Sequence, residues 1–491
     1  SGTDEVSARE EWIYVYHCLP HEFGYSVHED IVAKGLQEKE RLPVAVITDG
    51  HGDELLDELD ASFGFEESRH VFYSKFDSAA GEERVNEAAM RLTDETYGDK
   101  AKLAELEYRG IACGDVLHDY ILRKNEGEVF DCFEVSKEQY FKLLKSALAM
   151  IDKAYEMFSE RKPAYIVTSE CLFIKGLVAS VAREYGAKVL VISNDYPDTV
   201  MRILPGRALF KELKTTEFFT RQVEAYLEQG VPEEAGEKDL FVYEGPQDAK
   251  PVNLLERLGI SNGKKNVFIL MHIFSDVPRE GHHHHFFYEY NDWFLSTLKM
   301  IKEIPDVNWI IKDHPMSPRY KQDAYVKKVF LEHKTPNMYW CDRTLTGIEL
   351  KDIADCIITC VGEAAMEYWA YGVPTITVST AYFSNWGISY NMKTLEEYEN
   401  TLKHIGDLKK PPEQSAKRAR ECLLALKHMG RSEDELACLF LEARKKQLES
   451  YKTGGNDSDV KTFCEKYIEL LKKTGIQSST IYQLTRVYDV K

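Results

Sequence analysis

Three stretches of the chain end an apolar run in groups that can bind or move charge. In WIIKDHPMSPRY, residues 309–320, the run closes on Lys312 and is followed by His314 and Pro315. A strand-terminal Lys and a His, with Pro315 fixing the turn, would set two cationic or hydrogen-bonding groups at a rim, which suits a phosphate. In IITCVGEAAMEYWAYGVPTITV, residues 357–378, a strand runs into Gly362, and a helix opens with Glu363 and Glu367 before stopping at Gly372 and Pro374. Gly362 admits close backbone approach, and a helix start offers unpaired N–H groups to an anion. Glu367, one turn in, could accept hydrogen bonds from ribose hydroxyls; taken singly, both carboxylates also fit as ordinary helix N-terminal charges. In NVFILMHIFSDVPREGHHHHFFYEYNDWF, residues 266–294, a strand ends at His272 and its loop carries Asp276, Pro278 and Arg279. A loop carboxylate there is placed to act as a nucleophile or to remove a proton. The run His282 to His285 lacks the HExxH spacing, and neighbouring side chains rarely converge on one ion, so no metal is expected.

Upstream, YIVTSECLF puts Glu170 at a strand end, with Asn194 and Asp195 at the end of the next strand. The segment YRGIACGDVLHDYILRK holds Gly110, Gly114, Asp115, Asp119 and Arg123. The last three follow helical spacing and fit a surface ion-pair ladder as well as a binding surface. An Asp-Ser-Asp triplet at 457–459 lies in a Gly-rich joint, a poor place for a metal site.

The elements that must position these groups alternate between short Val/Ile/Tyr-rich runs and longer helical stretches, the pattern of parallel sheets covered by helices. Strands are expected at 12–17, 43–48, 70–74, 164–169 and 188–193, with helices at 137–161 and 172–184 among them. A second series follows: strands at 266–272, 308–312, 337–340, 356–360 and 374–378, with helices at 290–304, 321–332, 347–354 and 364–371. The fold class is α/β, with two Rossmann-like doubly wound domains and C-terminal helices. Domains are expected at 1–235 and 263–411, joined by an acidic, Pro-bearing linker at 236–262, then helices at 412–453 and a joint with a tail helix at 454–491. In such sheets the residues just after each strand matter most for ligands.

The 491 residues carry 62 Lys+Arg against 82 Asp+Glu, a formal charge of −20, which argues against nucleic acid as a partner. The ten cysteines show no CxxC pair. Cys356 and Cys360 read as buried small apolar residues on one strand face, and reduced thiols point to the cytosol. No signal peptide is expected from the opening residues, and no apolar run reaches the roughly 18 residues of a membrane span. The basic stretch after Lys409 reads first as a solvated helix face and second as a peripheral membrane contact.

A strand-His-Pro loop, followed about 45 residues later by strand-Gly-helix-Glu-x4-Gly-x-Pro, resembles the donor half of two-domain GT-B glycosyltransferases. It is most similar to those of bacterial capsule and lipopolysaccharide synthesis, including Kdo transferases and CMP-sugar-dependent sialyltransferases. His314 and Pro315 correspond to the family's HP motif, and Glu367, Gly372 and Pro374 to its Glu-x4-Gly-x-Pro helix. The His-x-Phe-x-Asp-x-Pro and Gly-Asp-x3-Asp-x3-Arg segments resemble the same group. Glu363 departs from the Ser or Thr expected near a phosphate, which points it to a sugar hydroxyl instead.

The resemblance implies two Rossmann-like domains facing a cleft, and transfer of a sugar, Kdo or a related ulosonic acid from its CMP donor, onto a surface glycan or glycolipid. No cofactor and no metal are expected, since His314, Lys312 and a helix start would offset a departing nucleoside monophosphate. His272, Lys312, His314, Pro315, Gly362, Glu363, Glu367 and Arg279 would hold the donor, and Asp115, Asp119, Arg123, Asn194 and Asp195 the acceptor. Asp276 would be nucleophile or base and Glu170 acid/base, with retention or inversion both open. A teichoic-acid-type polyol-phosphate transferase, a nucleotide-sugar 2-epimerase and a non-catalytic glycan-assembly subunit remain alternatives.

Overall fold

The computed structural model describes residues 11–18, 23–49, 60–61, 63–71, 79–192, 199–203, 217–228, 240, 254–281, 283–341, 347–428 and 486–489. They fall into two compact α/β units. One comprises Ser1–Tyr120, Val135–Leu213 and Gly430–Lys491; the other comprises Ile121–Glu134 and Lys214–Met429. The division therefore differs from the expected boundary at 235: a piece of the N-terminal half and the basic helix belong to the second unit, and the C-terminal end returns to the first.

The first unit is built on strands β1 (Trp12–His17), β2 (Val44–Asp49), β3 (Glu67–Val71), β4 (Pro163–Thr168), β5 (Lys188–Ile192) and β6 (Thr199–Ile203). Its helices include α1 (Phe23–Glu40), α2 (Ala79–Thr96), α3 (Gly114–Lys124, ending in the second unit's segment), α4 (Lys137–Glu160) and α5 (Phe173–Glu184). With the C-terminal strand Arg486–Asp489 at its edge, beside β6, the sheet runs β6-β5-β4-β1-β2-β3 inward from that edge. Ile13, Val15, Val44, Val46 and Val167 pack against Val32 of α1 in its core. These strands read as near-continuous apolar runs because helices cover both faces of a parallel sheet. One pairing departs from the expected parallel pattern: β5 and β6 are antiparallel. Six residues separate them, whereas a parallel crossover needs a dozen or more. Helix α4 starts at Ser136, whose hydroxyl accepts the Gln139 N–H at 3.1 Å. It buries Tyr140, Leu144, Ala147, Leu148 and Ile151, one stripe at helical spacing.

The second unit carries α6 (Glu217–Glu228), β7 (Lys265–Leu270), β8 (His283–His284), α7 (Tyr290–Ile301), β9 (Val307–Lys312), α8 (Asp323–His333), β10 (Met338–Cys341) and β11 (Cys356–Ile358). There follow α9 (Ala364–Trp369), β12 (Thr375–Thr377), β13 (Ser379–Thr380), β14 (Tyr390–Asn391), α10 (Leu395–Lys403) and α11 (Glu413–His428). Its main sheet has the order β10-β9-β7-β11-β12-β14, all parallel. Phe268, Ile310, Cys341, Ile357 and Tyr368 form part of the core. Cys356 and Cys360 are both buried, as their apolar reading requires. Helix α9 ends at Gly372, which takes φ +77° and lets Val373 N–H reach the Tyr368 carbonyl at 3.1 Å. Gly372 is thus a left-handed helix stop, a local reason for that residue.

Residues 121–134 are tied into this unit. Phe130 stacks on Tyr325 with centroids 3.6 Å apart and meets Phe274 edge-on at 6.2 Å. Its carbonyl accepts Asn291 Nδ2–H at 3.1 Å. Gly127 takes φ +80°, and a Cβ there would come within 2.4 Å of Lys321 Cβ, so the close crossing requires glycine. Basic helix α11 is also docked here. Trp369 Nε1 donates to Ser415 at 2.8 Å, Arg418 pairs with Glu224 at 3.9 Å, and Arg420 lies 5.4 Å over the Tyr371 ring. Lys417 faces Glu421 at 3.8 Å. These partners tie part of the basic stretch to the second unit itself. Among the described residues no helix is long and apolar enough to cross a membrane.

Phe130 is 8% exposed, so Phe130→Ala should destabilise the second unit by about 3 kcal/mol, read as a lowered urea midpoint at unchanged slope. A change under half a kcal/mol, roughly the scale of an unimportant surface substitution, would mean that 121–134 does not anchor there.

Candidate functional site

The order of the second sheet fixes where a ligand can enter. From β7 the chain moves to β9 and β10 on one side, then returns to β11, β12 and β14 on the other. Strand order reverses between β7 and β11, and open α/β sheets bind ligands in the crevice outside the carboxyl ends at such a point.

A hydrogen bond crosses that point. His272, two residues past β7, and Thr359, one past β11, meet at 2.8 Å between Nε2 and Oγ1. Val361 N–H donates to the same Nε2 at 3.3 Å, and Gly362 N–H donates to Thr359 Oγ1 at 3.3 Å. These directions assign the ring proton to Nδ1. A Cβ on Gly362 would stand 2.9 Å from Thr359 Oγ1 and 3.4 Å from His272 Cε1. Glycine is needed here for close approach. The His272 ring stacks on Tyr290 with centroids 4.5 Å apart and meets the Trp293 edge at 5.9 Å.

The loop after β9 is fastened to the loop after β7 by Gln322. This buried side chain accepts Phe274 N–H at 2.8 Å and donates to the His272 carbonyl at 2.7 Å, while its own N–H reaches Ser317 O at 3.1 Å. Asp313 shapes the His-Pro turn by accepting His314 N–H at 2.9 Å and the Ser317 hydroxyl at 2.5 Å. Met316 N–H donates to His314 Nδ1 at 3.1 Å, which leaves the proton on Nε2 and makes that nitrogen a donor. Pro315 is half-buried in the turn, and Lys312, the last residue of β9, is buried. Burial, then the charge of Lys312, pushes the His314 pKa down to about 3. Burial, then the charges of His314 and His284, does the same to His272. The site is thus built on neutral imidazoles beside a buried ammonium.

Asp276 is exposed, and Val277 after it sits at φ +43°, a strained conformation for a β-branched residue. The structure brings Asp276 together with Arg123, which the sequence reading had put in a separate surface. Arg123 donates to Glu126 at 2.7 Å and lies 5.0 Å over the Tyr320 ring. Burial opposes its charge, but Tyr320, Glu126 and Asp276 outweigh that and raise its pKa. Burial, then Asp276, raises that of Tyr320. Arg279 braces its own loop, donating to the Tyr288 carbonyl at 2.9 Å with its guanidinium 4.1 Å over that ring. Glu363 is exposed and accepts the Tyr382 hydroxyl at 2.7 Å. Glu367 is buried in α9, which has only six residues, so any anion would meet its N–H groups rather than a long helix dipole.

Two histidines of the run serve the fold. His284 donates from Nε2 to the Pro278 carbonyl, and its Nδ1 meets Ser379 Oγ at 2.6 Å, so both ring nitrogens are engaged. The ring lies on β8, which pairs antiparallel with β13. His285 contacts Thr380 at 3.1 Å and Asn391 at 3.3 Å.

In the first unit, Glu170 is half-buried two residues past β4, and its carbonyl accepts the Thr168 hydroxyl at 3.0 Å. Asp115 opens α3. Asp119 corrects the expectation of a surface ladder or acceptor contact: it is fully buried and bonded to His118 Nδ1 at 2.7 Å, while Arg123 pairs elsewhere. Asn194 and Asp195 lie outside the described residues. Sequence reasoning missed Gln322, Thr359 and Tyr290. Thr359 had a readable signal, a polar residue ending an apolar strand; a single Gln had none. It also missed a buried group around His17 in the first unit.

No family model matches the chain, and no curated protein matches it. Solved structures show a distant likeness. One is MnaA of S. aureus with UDP, at 10% identity and TM-score 0.26, covering 90% of this chain and 97% of that one. Another is KpsC of Thermosulfurimonas dismutans, a β-Kdo 2,4 transferase, at 14% and 0.31, covering 56% and 85%. A third is Anabaena HepE with UDP and glucose, at 9% and 0.28, covering 90% and 100%.

The two neutral histidines predict a pH effect with a definite sign. Folded, they protonate only near pH 3; unfolded, they do so near 6.5. The unfolded chain therefore binds more protons between those values, so their contribution, full above about pH 6.5, is lost as pH falls through the window. The melting temperature should drop from pH 7 to 4.5, and drop less in His314→Gln. Identical slopes in the two proteins would refute the buried neutral state of His314.

Proposed function

We propose that the chain is a GT-B-type glycosyltransferase whose second unit holds a nucleotide-activated sugar, with a CMP-linked ulosonic acid such as Kdo the first candidate and a bacterial surface glycan the acceptor. The observation that carries this reading is the His272–Thr359 bond across the strand-order reversal, with the Lys312–His314 turn fastened to it through Gln322. The arrangement suits a departing nucleoside monophosphate. His314 offers an Nε2–H and Lys312 an ammonium, so the negative charge that develops on the phosphate finds fixed donors in a poorly solvated place. Glu367 and the N–H groups after Gly362 are the candidate contacts to ribose and phosphate.

Asp276 is the candidate nucleophile or base. It stands at a strand-end loop, is exposed, and is followed by a strained residue, a feature that clusters at functional sites. Glu170 is proposed as an acid/base residue, and Asp115, Asn194 and Asp195 as acceptor contacts. Arg123 is better read as a neighbour that positions Asp276 than as an acceptor ligand.

Selective stabilisation by CMP in a thermal-shift panel of CMP, CDP, UDP and GDP tests the donor. At 100 times its dissociation constant CMP should add about 2.7 kcal/mol to the native state, and His314→Ala should remove most of that shift. Stabilisation by UDP alone would overturn the CMP assignment. With CMP-Kdo and an acceptor, Asp276→Asn should lower turnover by about 10²-fold or more, and near-wild-type turnover would overturn its role.

A further inference from the structure

The first sheet also reverses its strand order. From β1 the chain moves to β2 and β3, then returns on the other side to β4 and β5. The residues at that reversal are of another kind. His17, the last residue of β1, is wholly buried; Glu29 and Asp30 come from α1, and Asp60 from the segment after β2, at 1%, 0% and 7% exposure. Among the described residues, the partner that Glu29, Asp30 and Asp60 share is this one imidazole; no Lys or Arg pairs with them.

The geometry around the ring is asymmetric. Nδ1 lies 2.6 Å from Glu29, whose other oxygen accepts the Ser169 N–H at 2.6 Å. Glu29 is therefore an oriented acceptor that fixes a proton on Nδ1 and turns Nε2 towards the aspartates. Nε2 stands 3.2 Å from Asp30 Oδ1 and 3.2 Å from Asp60 Oδ1. One N–H cannot serve two carboxylates in line, and neither oxygen of Asp30 accepts a hydrogen bond although both are buried. A buried carboxylate whose oxygens accept no well-directed hydrogen bond is costly. The donor atoms of His17, Asp30 and Asp60 all lie within 4.8 Å of one another. Four-coordinate zinc with bonds of about 2.0 Å spaces its ligands about 3.3 Å apart. A carboxylate behind the far nitrogen of a ligating imidazole is the usual second layer of such a centre.

We propose that His17 Nε2, Asp30 and Asp60 hold a divalent transition-metal ion of the zinc class, with Glu29 as the carboxylate that positions His17. The ion joins β1, α1 and the segment after β2. Positions 17, 30 and 60 have no motif spacing, which hides the set in the sequence. Three protein ligands leave the fourth position to water, and their low exposure makes the centre structural.

The test is metal content, a cobalt spectrum and melting temperature, none of which requires turnover. Full-length protein purified without chelator should carry about one zinc per chain. After dialysis against a chelator it should melt lower, and added Zn²⁺ should restore the melting temperature. Co²⁺ titrated into the stripped protein should give the intense visible bands of a four-coordinate site, saturating at about one equivalent. Asp30→Asn should abolish those bands, and Glu29→Gln should keep the stoichiometry while weakening Co²⁺ binding by about tenfold or more. A protein with His282, His283 and His285 changed to Gln should bind as wild type does; loss of the bands there would place the metal on that run and overturn the proposal. Wild-type protein without metal, without cobalt bands and with a melting temperature indifferent to Zn²⁺ would overturn it too, and would mean that the group shares a proton instead.

Discussion

The bond between His272 and Thr359 joins the two strands between which the second sheet changes direction, and the rest of the candidate site is arranged around it. Two strand ends that diverge would leave an open notch. Here the notch is bridged at 2.8 Å, and the bridge imposes its own conditions. Residue 362 is glycine because a Cβ there would press on Thr359 Oγ1 at 2.9 Å. The His272 ring must keep its proton on Nδ1, because Nε2 receives Val361 N–H. The third loop must be attached, and Gln322 does this with bonds to Phe274 N–H and the His272 carbonyl. A change at any of these positions reaches the His-Pro turn through His272 and Gln322.

The two units give one topological feature opposite electrical characters. In the second, the reversal point is lined by imidazoles that burial keeps neutral, beside one buried lysine. In the first, it is filled by carboxylates around a single imidazole. The second unit's arrangement offers donors and a positive charge and so suits an anion; the first unit's offers acceptors and so suits a cation. The sheets have similar order, so the difference comes from residues at strand ends and in the first helix rather than from topology.

Most of the fold was legible from apolar runs alone. Strand 12–17 and helix 290–301 begin or end where the alternation of runs puts them, and both sheets follow from alternating strands and helices. The domain division was not legible, because it depends on Phe130 finding Tyr325 and on α11 finding Trp369, contacts between positions far apart in sequence. In the candidate site, the strand-end rule pointed to His272, Lys312, His314 and Gly362, which lie at or just past the ends of β7, β9 and β11. It did not tell a side chain that faces a ligand from one that braces a loop, and Arg279 and Asp119 proved to be tied to Tyr288 and His118. Residues that act through a single hydrogen bond, such as Gln322, carry no periodicity and no motif, so only coordinates reveal them.

The net charge of −20 makes the neutral histidines intelligible. An acidic body surrounds any bound anion with a repulsive field, which salt screens within about 8 to 10 Å. Extra lysines at the rim would attract anions in general and would be expensive to bury. Imidazoles held neutral add N–H donors at no cost in buried charge, and they act only at contact distance. The selectivity of such a site therefore rests on shape and hydrogen-bond direction, with the buried Lys312 beside the imidazoles. Its burial at the end of β9 matters as much as its sign, because a charge in a poorly solvated place acts more strongly on a neighbouring anion than one at the surface.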